Sequence, residues 1–527
     1  MAPRPFVACL VAALAMPLCA ASGSRGNAAE SPGAPALVPL QNLLLPAPLR
    51  HDAVHDDLRD LVYLSAGDRV LRFRASTGEA LEPIVLGGQL GGIDLSPDRR
   101  SLAVADRDTG GSGVRLWLVD PDTLQSREVR TTRDFMEGGL FTVVWGGDGR
   151  VYTTSTFNGS GWVPMRRFNP ATDTWNTLAS VRQNTMLSPS GDALTIAFAE
   201  ANISDGAWGL VDLPTGAIVR RSGYSDGTSW FNYEIGTDRF GDQFLLPTYG
   251  GGMVYNATYQ RTRTLGAYAG QQPVGIAFHP VEARAFMPWA QTTEVREYDT
   301  RTWSLVAAHP VGHRFDHPGN WSFQSGRTRL SRDGSLLMVS VPGGVLLRRL
   351  YAPLSAPPAS IRVISGRTIQ FGVFPTVGNG GAVGVGLASS PASGFASPQG
   401  AGLQYRSNPG FVGSDAFRYR ATYGRAMRDG DVHIEVVPNR PPVAQPDSVK
   451  ARRQPVLIPV LQNDVDPDGD SLRIVAVSTP DVGEASIEGG MIRFHPPFTA
   501  YRSIAFTYTI ADVDGATSTA TVTVVRR

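Results

Sequence analysis

The chain has 527 residues, a formal net charge of +1, and 58 glycines and 39 prolines. At roughly 100–200 residues per domain that length holds three or four domains. Near-neutral charge with few basic clusters implies neither nucleic acid nor an anionic membrane surface as a partner. No helical 3.6-residue period persists, so the Gly/Pro-rich composition fits a turn-rich all-β protein.

At the N-terminus Arg4 precedes an apolar run over residues 6–20, followed by the small residues Ala20, Ala21 and Ser22. This is the pattern of a secretory signal peptide over residues 1–21. Both cysteines, Cys9 and Cys19, lie within it, so cleavage would leave no thiol and no disulfide. A lipoprotein alternative would acylate Cys19, but the preceding Met16-Pro17-Leu18 lacks the small residues such sites resemble. Later segments never reach the 18 or so apolar residues that span a bilayer, so no transmembrane segment is expected. Residues 22–36 are rich in Ala, Ser, Gly and Pro and read as disordered. The expected location is secreted: periplasm, cell surface or medium.

Residues 37–350 contain a weak internal repeat. A turn between two strands recurs as Ser96-Pro-Asp98, Gly146-Gly-Asp-Gly149, Ser188-Pro-Ser-Gly191, Asp238-Arg-Phe-Gly241, His279-Pro280 and Ser331-Arg-Asp-Gly334, with an earlier copy at His55-Asp-Asp57. The spacing of about 40 to 52 residues is that of one four-stranded propeller blade. Seven units predict a seven-bladed β-propeller. The last unit lacks a fourth strand before the Pro-rich stretch 352–359, and residues 37–45 can supply it, which would clasp the ring and remove an open sheet edge.

The repeat resembles the YVTN-type propellers of bacterial surface proteins and related lactonase-like propellers, with Pro273-Val-Gly-Ile-Ala-Phe-His-Pro280 the nearest copy. That resemblance supports fold rather than function. If the repeated turns occupy one face, ligand contacts belong on the other. That face would carry Asp106, Asp108, Arg133, Asp134, Glu137, Glu200, Asp205 and Asp226, with the candidate ligand-binding residues Trp162, Trp230, Tyr249, Trp289, His313, Asp316, His317 and Trp321. Aromatic rings beside carboxylates and amides suit a glycan or protein ligand. The bland alternative makes most of these tryptophans blade-packing residues, as expected for Trp117 and Trp145 on strands. The His309, His313, Asp316, His317 cluster is interrupted by Pro310, Gly312 and Pro318, so a shared helical face for a metal is not supported. The mature chain has no Gly-x-Ser-x-Gly elbow, no His-Glu-x-x-His and no cysteine nucleophile, although abundant carboxylates leave a hydrolase or lyase open.

The C-terminal third divides into modules at 351–437 and 438–527 related by a repeat of 89 residues: Tyr405 with Phe494, Phe417 with Phe506, Tyr419 with Tyr508 and Val436 with Val525. Two period-two β-sandwich modules of Ig-like size follow. In the second, Asp464, Asp466, Asp468 and Asp470 fall on alternate residues around Gly469. Carboxylates so crowded repel unless a hard cation sits among them, and alternate acidic residues in a Gly-bent loop can converge on Ca²⁺. The opening fits an EF-hand loop, but Val475 stands where a bidentate Glu would be needed. A Ca²⁺ loop between strands is therefore favoured, with an unmetallated Asp/Gly turn as the alternative. Candidate ligands are Asn463, Asp464, Asp466, Asp468, Asp470 and Asp512.

The second module resembles bacterial Ig-like/cadherin-like tandem repeats through Pro442-Val-Ala444, the run from Asn463 to Asp470, and Phe506-Thr-Tyr508 with Asp512. In the first module the corresponding loop, 375–381, has no carboxylate, so calcium is expected only in the second. The leading expectation is a secreted or envelope-associated binding or adhesion protein: a propeller on a calcium-stiffened Ig-like stalk. The competing one is a propeller enzyme, lactonase-like or polysaccharide-acting, with accessory modules. Several carboxylates and a histidine converging at the channel mouth would favour the enzyme. The sequence leaves the oligomeric state open.

Overall fold

The structure is a computed structural model that describes residues 42–526 except 112, 201–205, 222–231, 267–271 and 316–324. The expected signal peptide and low-complexity segment lie outside the described residues. Among those described there is no α-helix, and none long and apolar enough to cross a membrane.

Seven four-stranded antiparallel sheets occupy residues 43–349. Their first strands are Arg50–Asp56, Leu90–Leu95, Glu137–Trp145, Met186–Pro189, Gly236–Thr237, Ala277–Phe278 and Thr328–Leu330. Each lies beside the next, and the seventh returns to the first, so the sheets close into a β-propeller. The inner strands run past the channel almost wholly buried, Arg50–Asp56 and Glu137–Trp145 along their full length. Outer strands such as Ser126–Thr131 expose alternate positions or more, as edge strands facing water do. Between blades the faces are filled by large side chains. Trp208, for example, packs between Phe244 and Tyr255 at ring centroid distances of 5.8 and 4.4 Å.

The last sheet is a composite. Strand Leu43–Pro46 pairs antiparallel with Gly344–Arg349, Leu43 opposite Leu347 and Pro46 opposite Gly344. The N-terminal segment thus supplies the fourth strand that the sequence of the last unit lacks. Pro46 is tolerated because it ends an outermost strand, where a missing N–H costs no central ladder bond. Leu45 anchors the clasp, fully buried among Val62, Leu64, Leu336, Met338 and Leu347.

Each C-terminal module is a sandwich of a four-stranded and a three-stranded sheet. Their topologies are the same: Ala359–Ile364 pairs in parallel with Ala426–Val437, and Asp447–Ala451 with Thr517–Arg526. The repeated aromatics fill equivalent core positions, Tyr405 stacking on Phe417 and Phe494 on Phe506. One predicted equivalence is out of register. Phe417 faces Val432 and Phe506 faces Val522, so the last strand is offset by 90 residues, not 89. The turn before it is longer in the second module, where Asp512 and Ala516 pair around three residues, against two residues between Tyr423 and Ala426. With a period of two, that extra residue turns Val525 away from the core and puts Val524 there, while Val436 is buried.

The first module is docked on the propeller, not held free as a stalk. Its contacts fall on the face carrying the repeated turns. The Leu354 N–H donates to Asp333 at 3.0 Å, Arg428 to the Leu58 carbonyl at 3.2 Å, and Arg99 to the Arg425 carbonyl at 3.1 Å. Tyr351 joins His279 at 2.5 Å and donates to the Asp333 carbonyl at 2.6 Å. Val281 of the propeller packs into the module's own core. One end of the ring is thereby covered.

Candidate functional site

With the turn face occupied by the first module, the opposite face carries the connections between second and third strands and between successive sheets. The structure describes four of the eight candidate ligand-binding residues, Trp162, Tyr249, Trp289 and His313; Trp230, Asp316, His317 and Trp321 lie outside the described residues. Trp162 opens the third strand of its blade and remains 46% exposed. It is clamped by two guanidinium groups, Arg182 and Arg220, at 4.9 and 4.5 Å from the ring centroid. Tyr249, at a second-to-third-strand turn, is 54% exposed. Trp289 is instead buried, packed with Leu245, Ile276 and Met287 and covered by Arg296, so it is a blade-packing residue. His313 is half-buried, while His309 of the same stretch pairs with Glu297 at 2.9 Å.

Sequence reasoning missed Phe135. It sits in the connection before Glu137–Trp145 and is 90% exposed, beside Met136 at φ 58°. An apolar ring held out from a positive-φ turn is the signal that composition alone cannot show.

Among the described carboxylates of this face, Asp106, Glu137 and Glu200 are buried against arginines, whereas the Asp108 side chain is partly exposed and Asp134 is exposed. Arg166 donates to Glu137 at 2.8 Å and Arg220 to Glu200 at 2.5 Å. Asp106 takes Arg115 at 2.7 Å and the Trp117 indole N–H at 3.2 Å. Deeper in the channel Arg327 bonds Glu234, and Arg329 bonds Asp52 at 2.5 Å. Burial pushes Glu234 up to about 7 against the opposing pull of Arg327. His51, buried near the same arginines, is held well below its ordinary value by burial and by Arg107 and Arg327. Arg115, Arg166 and Arg220 thus pair with acids of their own blades, while Arg327 and Arg329 pair across blades.

The second locus is the acidic turn region of the second module. Oxygens of Asp466, Asp470 and Asp512 all lie within 4.8 Å of one another. Gly469, at φ 81°, permits the reversal that brings Asp470 back toward Asp466. Asp466 Oδ1 accepts the N–H groups of Asp468 and Asp470 at 2.8 and 3.3 Å, while its Oδ2 is buried with no partner. Asp512 accepts the Ala516 N–H at 2.8 Å and the Asn439 amide at 2.6 Å. Asn439 Oδ1 is likewise buried without a partner. Burial would raise Asp512, yet these hydrogen bonds hold it below the usual carboxylate range. Two orphaned oxygen acceptors beside three carboxylates form a donor set that fits a hard cation.

The other candidate ligands point elsewhere. Asp464 is buried against Tyr508, whose hydroxyl donates at 2.9 Å, and accepts the Gln445 N–H at 2.7 Å. Asp468 accepts Arg440 at 2.8 Å, and that residue's N–H and guanidinium hold its pKa down. Asn463 donates its amide to the Pro446 carbonyl at 3.3 Å. From the first module, Arg367 reaches across to Asp470 at 2.8 Å and to Asp514 at 2.7 Å. Asn439 and Arg367 were not among the expected residues; both come from outside the acidic run, and only folding brings them to it.

Fold and site together define a β-propeller protein with C-terminal Ig-like modules. Residues 439–525 match the bacterial Ig domain family. No curated protein matches the chain. Among solved structures, the chain is similar to hydrazine synthase of Kuenenia stuttgartiensis, with 14% identity and TM-score 0.44 over 58% of this chain and 97% of that one. It is also similar to the Dos1 propeller, with 12% identity and TM-score 0.43 over 57% and 77%. A chain in a mitotic checkpoint complex gives 13% identity and TM-score 0.45 over 63% and 98%.

Proposed function

We propose that this chain is a secreted or envelope-associated bacterial binding protein whose propeller recognises a glycan or protein ligand on the face opposite the docked Ig-like module. The observation that carries the reading is the contrast between two groups on that face. The rings of Phe135 and Tyr249 are offered to solvent and that of Trp162 is partly so beside Arg182 and Arg220, while the acids Asp106, Glu137 and Glu200 are consumed in arginine pairs. Exposed planar rings beside fixed hydrogen-bonding groups suit recognition, whereas a general acid or base must be available to its substrate.

The second module contributes calcium binding in this reading. Asp466, Asp470, Asp512 and Asn439 would hold the ion, and Arg367 would tie the first module to the same turn region. The ion's chemistry there is charge neutralisation, which makes the junction stiffer.

A glycan array and a lactone panel, each run with the intact chain and with the Trp162→Ala and Tyr249→Ala variants, test the function. Array binding weakened tenfold or more by either substitution, with no lactone turnover, is the expected result. Lactone turnover that survives both substitutions would replace the binder with an enzyme.

A further inference from the structure

The propeller channel ends, on the turn face, in a cavity of about 140 Å³. Its wall combines the seventh inner strand with the residues on either side of it (Arg327, Arg329, Arg332), His55 of the first inner strand, and Arg425, which comes from the first Ig-like module. Arg425 sits in the two-residue turn of the hairpin formed by Gly413–Tyr423 and Ala426–Val437. Docking of the module therefore carries a guanidinium to the end of the channel.

The carboxylates on this wall are already committed. Glu234 bonds Arg327 and accepts the Ile276 N–H at 3.2 Å. Asp94 accepts the Trp145 N–H at 2.8 Å and lies 3.6 Å from Arg329. Two cations are left over. Arg332 spends three of its five N–H groups on the carbonyls of Leu95, Ser96 and Pro97, at 2.6, 2.7 and 3.0 Å, and has no carboxylate in ion-pair range among the described residues. The Arg425 side chain has neither an ion pair nor a hydrogen bond among the described residues. Burial lowers the pKa of both, Arg332 to about 9, and Arg99 adds to the lowering, while Asp94 and Asp57 pull both upward from beyond ion-pair distance. Two further polar atoms on the cavity wall are buried without partners, Arg329 Nε and His55 Nδ1. A buried cation without a counter-charge is costly enough that folded proteins pair it. Among the described residues neither guanidinium has a carboxylate in ion-pair range, and the wall's own carboxylates, Asp94 and Glu234, are engaged elsewhere.

We propose that this cavity binds one small tetrahedral oxyanion, of the size and charge of phosphate or sulfate, held by Arg425 and Arg332 with Arg329 Nε and His55 Nδ1 as further donors. Guanidinium groups match oxyanion geometry by paired N–H donation. The anion bridges groups from the first blade, the last blade and the Ig-like module, so it links ring closure to module docking. A solvent-filled cavity would satisfy the orphaned donors through water but would leave both guanidinium groups without a counter-charge in contact, Asp57 and Asp94 acting only from a distance.

Calorimetric titration of the intact chain with inorganic phosphate, and separately with sulfate, in a buffer free of both tests this. Saturable binding with one site per chain is expected, weakened at least tenfold in Arg425→Gln. Absence of saturable heat, or equal affinity in the variant, would overturn the assignment. Should Arg425→Gln fail to fold, selenate soaked into crystals of the unaltered chain decides. An anomalous peak between Arg332 and Arg425 supports the site, and water alone in the cavity refutes it.

Discussion

Replacing Leu45 by alanine removes a fully buried side chain from the clasp strand. Its neighbours Val62 and Leu64 belong to the first sheet, and Leu336, Met338 and Leu347 to the last, so the deletion leaves a cavity where the ring closes. Leucine-to-alanine changes at such sites cost about 3 kcal/mol or more, from lost transfer energy plus the cavity, which is roughly 150-fold in the folding equilibrium. The control is Leu44→Ala one residue earlier, where the side chain is 37% exposed on the other face of the strand and the expected cost is within about 0.5 kcal/mol. Urea unfolding followed by tryptophan fluorescence isolates the effect, because all nine tryptophans lie between Trp117 and Trp321 and none is in the Ig-like modules. The tryptophan transition should move to clearly lower urea in Leu45→Ala and stay near its original midpoint in Leu44→Ala. Equal midpoints for the two variants would show that the clasp is not part of the propeller's cooperative unit.

Calcium at about 10⁻⁴–10⁻³ M should raise the melting temperature of the C-terminal module within the intact chain, and Asp466→Ala should abolish the rise; calorimetry giving the same transition in chelator and in millimolar calcium would leave the turn region unmetallated. His51 is buried with its pKa depressed, so below pH 6.5 the unfolded chain takes up a proton that the folded chain refuses. Its contribution is lost as pH falls, at about 1.4 kcal/mol per pH unit until the folded pKa is reached. The stability gap between the unaltered chain and His51→Asn should narrow by about 1 kcal/mol between pH 6.5 and 5.5, where the unfolded imidazole is only part-way through its titration, and a pH-independent gap in urea titrations would contradict the assignment. Arg166→Ala strands Glu137 as a buried unpaired carboxylate and should cost about 3–5 kcal/mol. Thermal unfolding of that variant within a degree of the original would mean the pair is not desolvated.

The propeller and the modules were legible because a strand repeats its chemistry every two residues and a blade repeats its turn every 40 to 52 or so. Ser96-Pro-Asp98 and Ser331-Arg-Asp-Gly334 mark where inner strands end whatever surrounds them. Even the clasp could be anticipated, since a unit one strand short must find its fourth strand elsewhere. The acidic run was visible too, though its six candidate ligands were not equal: only Asp466, Asp470 and Asp512 converge, because Tyr508 draws Asp464 inward and Arg440 holds Asp468.

Local pattern therefore determined which segments become strands, where turns fall and that the modules repeat. It could not determine what depends on residues far apart in the chain meeting. That Trp289 packs inside a blade while Phe135 stands in solvent depends on neighbouring blades. The one-residue slip after Asp512 inverts a strand's faces without changing its alternation. The docking of the first module, with Arg425 carried to the channel and Arg367 to the acidic turn, was fixed only by tertiary structure. Charges separated by tens to hundreds of residues interact through the distance that folding sets between them, and that distance is not written in their spacing along the sequence.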